Sequence, residues 1–429
     1  MIKTKRLDAR KRKDTLKISY LLIGSFVLSL MGFLKINSLI YMGSSLLIHL
    51  VALFIDPFLP MCISVALPVH AISVNSMFSL GVRFIALIPA LYTWYRKKKY
   101  ISANEFLAIY LSATVLVLSY VFGTNSNPAT ALIQFTCILA FFVFSQMDVF
   151  KNNALLSYAF ILVGLYTSAI VTIQLLRGEA EFLYGTRLTY MGNVRALATA
   201  LAFPIFYLCL KLMFNNGGIK FSQKLLWIVL LSLEFSLLMM TYSRGVIFTI
   251  VITLAVVFVG KFHNLTYQRF LILIICAFSL VIVLSQKIDF AQLLYGVSDA
   301  SGRFDIWNFF FAKMNEKGID GWLFGLGPGD ITRISSGTEF DGYYSHSVIF
   351  DYIFAYGFFG FLILALMIGI TFKNAWRSKK FELVSLAFMT VALFLTHGNA
   401  VSLDFHLMLA LVNGTAKSSN LYSKELALA

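Results

Sequence analysis

Among the cationic residues outside the basic clusters of this sequence, five have a type and position that could serve chemistry: Arg187, Arg195, Arg244, Arg303 and His346. An arginine guanidinium stays charged and donates hydrogen bonds from a planar fork that matches phosphate or carboxylate. Arginine is also rare beside apolar segments unless it has a partner. These residue types therefore indicate a site for an anionic ligand, and the elements that carry them decide whether they can act together.

The rest of the composition is that of a polytopic membrane protein. Of the 429 residues, 59% are hydrophobic and only 13% are charged, whereas a soluble domain has about 25% charged residues. Apolar stretches repeatedly reach the ~20 residues that cross a ~30 Å hydrocarbon core. The basic residues behind the net charge of +15 lie in short clusters between these stretches. The positive-inside rule explains such clusters better than binding to nucleic acid does.

Hydrophobicity and charge predict an all-α fold of about 12 to 14 transmembrane helices. The expected spans are 17–35, 38–55, 58–75, 77–95, 104–122, 129–147, 155–176, 196–213, 224–241, 245–260, 270–286 and 348–371, with one or two weaker spans after them. No small-residue cleavage site follows the basic N-terminus, so we expect it to remain as a cytoplasmic anchor. On this topology all five cations fall on the external face, from which the positive-inside rule should remove arginine.

The chain divides by this pattern into a basic cytoplasmic N-terminus (1–16), an N-terminal transmembrane bundle (17–286), a long external loop (287–347), C-terminal transmembrane helices (348–412) and a polar tail (413–429). Within the long loop, the segment 302–314 predicts an amphipathic helix at the bilayer surface. Its apolar side carries Trp307, Phe310, Phe311 and Met314, and its start carries Arg303 and Asp305. A glycine-rich turn at 321–330 follows.

The segment from His346 resembles the H-[N/S/Q]-x9-G-x-x-G signature of the O-antigen ligase and polymerase superfamily, because H-S is followed by nine residues and then by G-F-F-G at 357–360. Other features occur upstream in the order that this family shows. They are an arginine-bearing external loop (187–195), S-R-G at 243–245, G-R-x3-W at 302–307 and F-G-L-G-P-G at 324–329. The resemblance covers roughly residues 180–371.

This resemblance implies a GT-C-like, metal-independent, inverting glycosyltransferase that needs no cofactor and acts at the periplasmic face of the bacterial inner membrane. It implies catalytic roles for His346, Arg303 and Arg244. His346 would orient or deprotonate the acceptor hydroxyl or bind phosphate, and the arginines would stabilise the leaving diphosphate. It further implies a structural motif at Gly357 and Gly360, and substrate contacts from the group Arg187, Arg195, Trp307 and Tyr344.

Other interpretations of single residues stay open. Arg195 and Arg333 also suit binding to lipid headgroups, and His346 also suits a helix cap at the membrane interface. Asp351, five residues after His346, could orient it only if the helix end is distorted, because a spacing of five leaves one helix face.

Three functions fit the sequence. The first is a polymerase of O-antigen or capsule, which joins lipid-linked repeat units. The second is an O-antigen ligase acting on lipid A core, and the third is a flippase for a lipid-linked glycan. The F-G-L-G-P-G turn favours the polymerase. Expected partners are an undecaprenyl-diphosphate-linked oligosaccharide, the lipid bilayer and a chain-length regulator membrane protein, with no nucleic acid.

Overall fold

The computed structural model describes most of the chain. The described residues are 2–67, 86–89, 91–93, 95–96, 103–145, 153–183, 187–189, 194–214, 221–260, 303–329, 334–335, 338, 345, 347–378, 380–397 and 403–428. The expected span 270–286 and the candidate residues His346 and Tyr344 lie outside these ranges, as does part of the expected span 77–95.

The described residues are almost entirely helical. In chain order the elements are α1 (Ile2–Phe33), α2 (Ser38–Ile55), α3 (Leu59–Ala66), α4 (Ala103–Phe122), α5 (Pro128–Phe144), α6 (Asn153–Leu176), β1 (Phe182–Leu183), β2 (Arg187–Leu188), α7 (Val194–Phe214), α8 (Phe221–Met240), α9 (Arg244–Gly260), α10 (Arg303–Glu316), α11 (Ile319–Phe324), α12 (Val348–Arg377), α13 (Phe381–His397) and α14 (Leu403–Leu428). The strands β1 and β2 form one short antiparallel ladder.

Five helices are long and apolar enough to cross a membrane: Asp14–Phe33, Ser38–Ile55, Glu105–Phe122, Leu155–Leu176 and Val348–Arg377. Shorter apolar helices accompany them, among them Pro128–Phe144 and Leu197–Met213. The predicted all-α, membrane-associated character of the protein is therefore confirmed.

Three boundaries differ from the sequence-based expectation. The expected span 58–75 is wrong as a single helix, because α3 ends at Ala66 and Leu67 is extended. The next residue is Pro68, and a proline drives the residue before it out of the helical region. Toward the other end of the chain, α12 continues to Arg377, beyond the end of the expected span 348–371. Likewise, α14 continues to Leu428 through the expected polar tail.

The chain forms two compact units. Unit 1 comprises residues 1–101, 140–243 and 410–429, and unit 2 comprises residues 102–139 and 244–409. Unit 1 thus includes C-terminal residues as well as most of the N-terminal helices.

Unit 1 is built around the short helix α3, all of whose residues are buried. It packs against α1, α2 and α6. A buried ion pair joins Lys17 of α1 to Asp56 at the end of α2, with 2.5 Å between Nζ and Oδ2. Asp56 Oδ1 also accepts a hydrogen bond from the backbone N–H of Phe58 at 2.9 Å, which starts the turn into α3. Charge and backbone geometry together therefore fix the α2–α3 corner.

Unit 2 is built around the long helix α12, which packs against α4, α10, α11 and α13. The helix α9 packs against α13. The four segments that carry the glycine, histidine, G-R-x3-W and S-R-G motifs all lie in this unit from Arg244 onward.

Candidate functional site

The candidate site is organised by a break in α12 at Gly357. This residue has φ 63° and ψ −152°, which is not helical, and such a break removes regular i→i−4 hydrogen bonds. The carbonyl oxygens of Phe354 and Ala355 instead accept hydrogen bonds from the backbone N–H groups of Leu326 (2.7 Å) and Gly327 (3.1 Å). The break therefore attaches the glycine-rich loop 325–329 to the helix that follows His346.

Two glycines allow this attachment because neither site has room for a side chain. A Cβ at Gly357 would lie 2.5 Å from the carbonyl carbon of Leu323, and a Cβ at Gly325 would lie 2.5 Å from the carbonyl carbon of Ala355. Both residues also have positive φ, where side chains are strained. At Gly360 a Cβ would collide with Tyr356 of the preceding turn. The two glycines of G-F-F-G thus have a packing role.

A third segment, the α4–α5 loop, packs on the other side of the glycine-rich loop. The backbone N–H of Asn125 donates to the carbonyl of Leu326 at 2.8 Å, and that of Asn127 donates to the carbonyl of Pro328 at 3.3 Å. A Cβ at Gly123 would collide with the Cα of Gly327. The sequence analysis did not predict that these two loops meet. We call the packed segments 123–127, 325–329 and Gly357 the glycine layer.

The residues on either side of His346 are held by α10. The indole N–H of Trp307 donates to the carbonyl of Ser345 at 3.0 Å, and its ring stacks on Phe350 with 4.1 Å between centroids. The hydroxyl of Ser345 hydrogen-bonds to the Asp351 carboxylate and accepts from the backbone N–H of Ser347 at 3.1 Å. Ser345, Ser347 and Asp351 are buried. This polar clasp of Trp307, Ser345 and Asp351 holds the backbone at Ser345 and Ser347.

The clasp adds contacts to two residues considered in the sequence analysis. The N–H of Trp307 donates to Ser345 and its ring stacks on Phe350, and its contact with substrate stays a prediction. Asp351 was considered only as a partner of His346, whereas in the structure its carboxylate accepts a hydrogen bond from the hydroxyl of Ser345. Ser345 was missed. The only available signal was its position next to His346, since Trp307 and Ser345 are 38 positions apart in the sequence and their contact cannot be seen there.

The predicted helix at 302–314 is present as α10, but its apolar side packs on protein. Ile306, Phe310 and Met314 form a buried cluster with Leu326 and Phe354. Burial of such side chains stabilises a fold by roughly 1.5–3 kcal/mol each. The exposed residues of α10 are mainly polar, namely Asp305, Asn308, Asn315 and Glu316. Part of this apolar side thus packs on the glycine layer and α12, and the position of α10 at the bilayer surface stays a prediction.

The four candidate arginines are placed by their backbones. Arg303 is the first residue of α10, one turn before Trp307, and Arg244 is the first residue of α9. In unit 1, Arg187 lies in β2 and Arg195 is the second residue of α7. The structure thus brings the start of α10 near the His346 segment, whereas Arg244 begins a helix that packs on α13.

The first turn of a helix is an unfavourable place for a cation. The positive end of the helix dipole lies there, and its N–H groups lack intrahelical partners. Arg244, Arg303 and Arg195 all occupy such turns. A bound anion would relieve this repulsion and accept hydrogen bonds from the same N–H groups. The backbone positions of these arginines therefore suit phosphate binding.

Lys317 is a further cation of the site that sequence analysis did not select. Its Nζ donates to the carbonyl of Gly325 at 2.7 Å, which fastens the glycine layer to the α10–α11 connection. Desolvation by burial lowers the pKa of Lys317 below its ordinary value, and the nearby Asp320 carboxylate opposes this shift.

No protein-family model matches the chain, and a search of curated proteins finds no significant match. Among the described residues, no three His, Cys, Asp or Glu side chains are grouped so that they could hold a metal ion. The assignment of a function therefore depends on the sequence motifs and on the geometry of unit 2.

Proposed function

We propose that this protein is a membrane glycosyltransferase of GT-C type that polymerises a lipid-linked glycan. One observation carries the proposal: the Trp307 N–H donates to the carbonyl of Ser345, the residue before His346. The Trp307 ring also stacks on Phe350, which lies inside the H-S-x9-G-x-x-G segment, so the two motifs that the resemblance treats as functional are in direct contact. This contact supports a shared site that contains Arg303 and His346.

The proposed reaction joins two lipid-linked units. The hydroxyl oxygen of an acceptor sugar attacks the anomeric carbon of the donor glycan from the face opposite the diphosphate. The new glycosidic C–O bond forms as the bond to the diphosphate oxygen breaks, so the anomeric configuration inverts. The proton of the hydroxyl passes to His346 or to the departing diphosphate. Undecaprenyl diphosphate is released.

Arg303 and Arg244 are the proposed partners of the departing diphosphate. Its negative charge increases as the anomeric bond breaks, and fixed cations stabilise that charge most strongly when they are held in place before the reaction. The backbone N–H groups at the start of α10 and α9 would add hydrogen bonds to the same anion. Arg187, Arg195 and Tyr344 are proposed to contact the glycan or its carrier.

The proposed location is the bacterial inner membrane, with the site at the periplasmic face. A polyprenyl carrier stays in the bilayer, so its diphosphate is available only near the headgroups. The membrane helices of the protein and the external assignment of its loops support this location.

The test is the His346→Ala variant in the native bacterium, with Gly369→Ala as the matched control. Gly369 is in α12, the helix that follows His346 in the chain, and a Cβ there would meet no atom within 4 Å. We expect the control to leave the glycan unchanged. We expect His346→Ala to lose the polymer ladder and to leave core lipid that carries one repeat unit, or in a capsule-producing cell, single lipid-linked units.

Two results would contradict the polymerase. Long glycan retained on the lipid carrier, together with bare core lipid, would instead identify an O-antigen ligase, which uses the same donor with a different acceptor. An intact ladder in a folded, membrane-inserted His346→Ala protein would exclude both enzymes. A direct flipping assay would then test the transport hypothesis.

A further inference from the structure

The helices α10 and α11 are consecutive but expose different chemistry. The exposed positions of α10 are mainly polar. The next helix, α11, exposes Ile319 at 74% and Trp322 at 42%. These two residues are three apart and so lie on the same side of the helix. A large aliphatic side chain exposed to this extent, next to an exposed indole, is unfavourable in water.

Two aromatic contacts fix the level of α11 relative to the membrane helices of unit 2. Phe324, the last residue of α11, stacks on Phe122 with 5.0 Å between centroids. Phe122 is the last residue of the membrane-spanning segment Glu105–Phe122. Phe324 also contacts Phe359 of α12 at 5.6 Å. Because Phe122 marks the end of an apolar span, α11 lies at the boundary of the hydrocarbon core.

The exposed side of α11 continues the lipid-facing surface of these spans. Near the end of α4, Val121 is 66% exposed, and on α12, Phe358 is exposed beside Phe359. Both helices pack against α11. Because this apolar surface runs from a membrane span onto a short helix, the short helix suits contact with lipid as the span does.

The polar groups in and beside α11 are arranged as expected for a helix at the membrane–water interface. The indole N–H of Trp322 donates to the side-chain oxygen of Asn315 at 2.9 Å, which directs it toward the polar end of α10. Tryptophan favours the headgroup level, where its ring is in an apolar layer and its N–H is satisfied. The neighbouring Lys313 and Glu316 are paired and partly exposed.

We propose that α11 is an interfacial helix whose Ile319 and Trp322 side chains insert into the acyl-chain region of the external leaflet. The loop 325–329 of the glycine layer follows α11 directly. The carbonyl of Gly325 accepts a hydrogen bond from the ammonium of Lys317, which lies just before α11. Lipid contact at α11 therefore fixes the height of the glycine layer, and of the start of α12, above the hydrocarbon core. This inference does not depend on the enzymatic activity.

The test places a spin label at Ile319→Cys in the full-length protein, reconstituted in vesicles of phosphatidylcholine and phosphatidylglycerol. Val121→Cys is the matched lipid-facing reference, and Glu316→Cys is the matched aqueous reference. The chain has four native cysteines, of which Cys62 and Cys137 are buried and Cys209 is half-buried. Labelling of the unsubstituted chain measures their contribution, and Cys209→Ala and Cys276→Ala remove it where it is significant. Collision with oxygen, which concentrates in lipid, is compared with collision with a water-soluble nickel chelate.

We expect the label at position 319 to collide with oxygen as often as the label at 121 and to be several-fold less accessible to nickel than the label at 316. Nickel accessibility equal to that at 316 would overturn the proposal. Low accessibility to both reagents would also overturn it, because it would mean that protein, such as a second copy of this chain, covers α11. Ile319 is exposed, so the substitution leaves the packing of unit 2 intact.

Discussion

The two units of this protein connect their segments by different means. Unit 1 uses paired polar side chains: Lys17 with Asp56, His49 with Ser64 at 2.9 Å, and Ser145 with Asn413 at 3.0 Å. Unit 2 has a buried pair of its own, Tyr352 with His406 at 2.7 Å, but its loops are held by backbone contacts in the glycine layer. The loops of unit 2 thus need glycines, whose lack of a side chain lets the backbones approach. The helices of unit 1 are instead joined by an ion pair and by side-chain hydrogen bonds.

This difference has a functional consequence. The glycine layer and the clasp position the His346 segment with main-chain groups, one indole and one carboxylate. These described contacts are made by residues other than the arginines of the motifs. Substitution of an arginine should therefore affect ligand binding more than folding, whereas substitution of a glycine should do the reverse.

The largest expected effect is at the glycine layer, in the variant Gly357→Val. Strain at the positive φ of this residue costs about 1–3 kcal/mol, and the new side chain must also displace the main chain of Leu323. We expect almost no monodisperse protein in size-exclusion chromatography of detergent extracts. Gly369→Ala on the same helix should behave as wild type. A Gly357→Val protein with an unchanged melting temperature would show that the backbone contacts of unit 2 are dispensable.

The next effect is at the ion pair of unit 1. Lys17→Met leaves the Asp56 carboxylate buried without its cation, which costs roughly 3–5 kcal/mol. The double variant Lys17→Met/Asp56→Asn should recover much of this loss, because it removes both charges and keeps a side-chain oxygen for the Phe58 N–H. Thermal unfolding in detergent measures both. A double variant as unstable as the single one would mean that packing, and not charge, joins these helices.

A smaller effect on stability is expected at the clasp. Trp307→Phe keeps an aromatic ring on Phe350 but removes the hydrogen bond to Ser345, a loss of about 0.5–1.5 kcal/mol. If this bond holds His346 in place, glycan chain length on gels should fall far more than the melting temperature does. The matched control is Trp322→Phe, which removes the bond to Asn315. If the two variants shortened the glycan equally, the hydrogen bond from Trp307 to Ser345 would not have the positioning role assigned to it here.

The smallest effect concerns pH and Lys317. Burial lowers the pKa of Lys317, so at pH values between its folded and unfolded pKa the unfolded chain binds more protons. Stability then rises with pH through this window below the ordinary lysine pKa. We expect a small increase in melting temperature with pH there that is absent in Lys317→Met. The same pH response in both proteins would assign it to other groups.

The sequence predicted local structure better than long-range contacts. Apolar run length identified helices such as α2, whose bounds Ser38–Ile55 match the expected span. The end of α3 was also encoded locally, by Pro68, but was overlooked. The glycine layer could not be predicted in the same way, since Thr124 and Leu326 are 202 residues apart. Periodicity likewise reveals that α10 has an apolar side but not which surface covers it.

The candidate site was predictable only as a set of motifs. The spacing between His346 and Gly357 identified the segment, but a spacing does not say that Gly357 breaks a helix or that Trp307 reaches Ser345. Both facts depend on which segments of the chain pack together. A single sequence does not contain that information.

The most direct test of the proposed function is an assay of the purified protein in vesicles with a radiolabelled undecaprenyl-diphosphate-linked repeat unit from the same cell and no added metal. The proposal predicts a ladder of lipid-linked products longer than the input. It also predicts that His346→Ala, with a wild-type melting temperature, leaves the input unchanged. Equal ladders from both proteins, or an unchanged input with the folded wild-type protein, would contradict it.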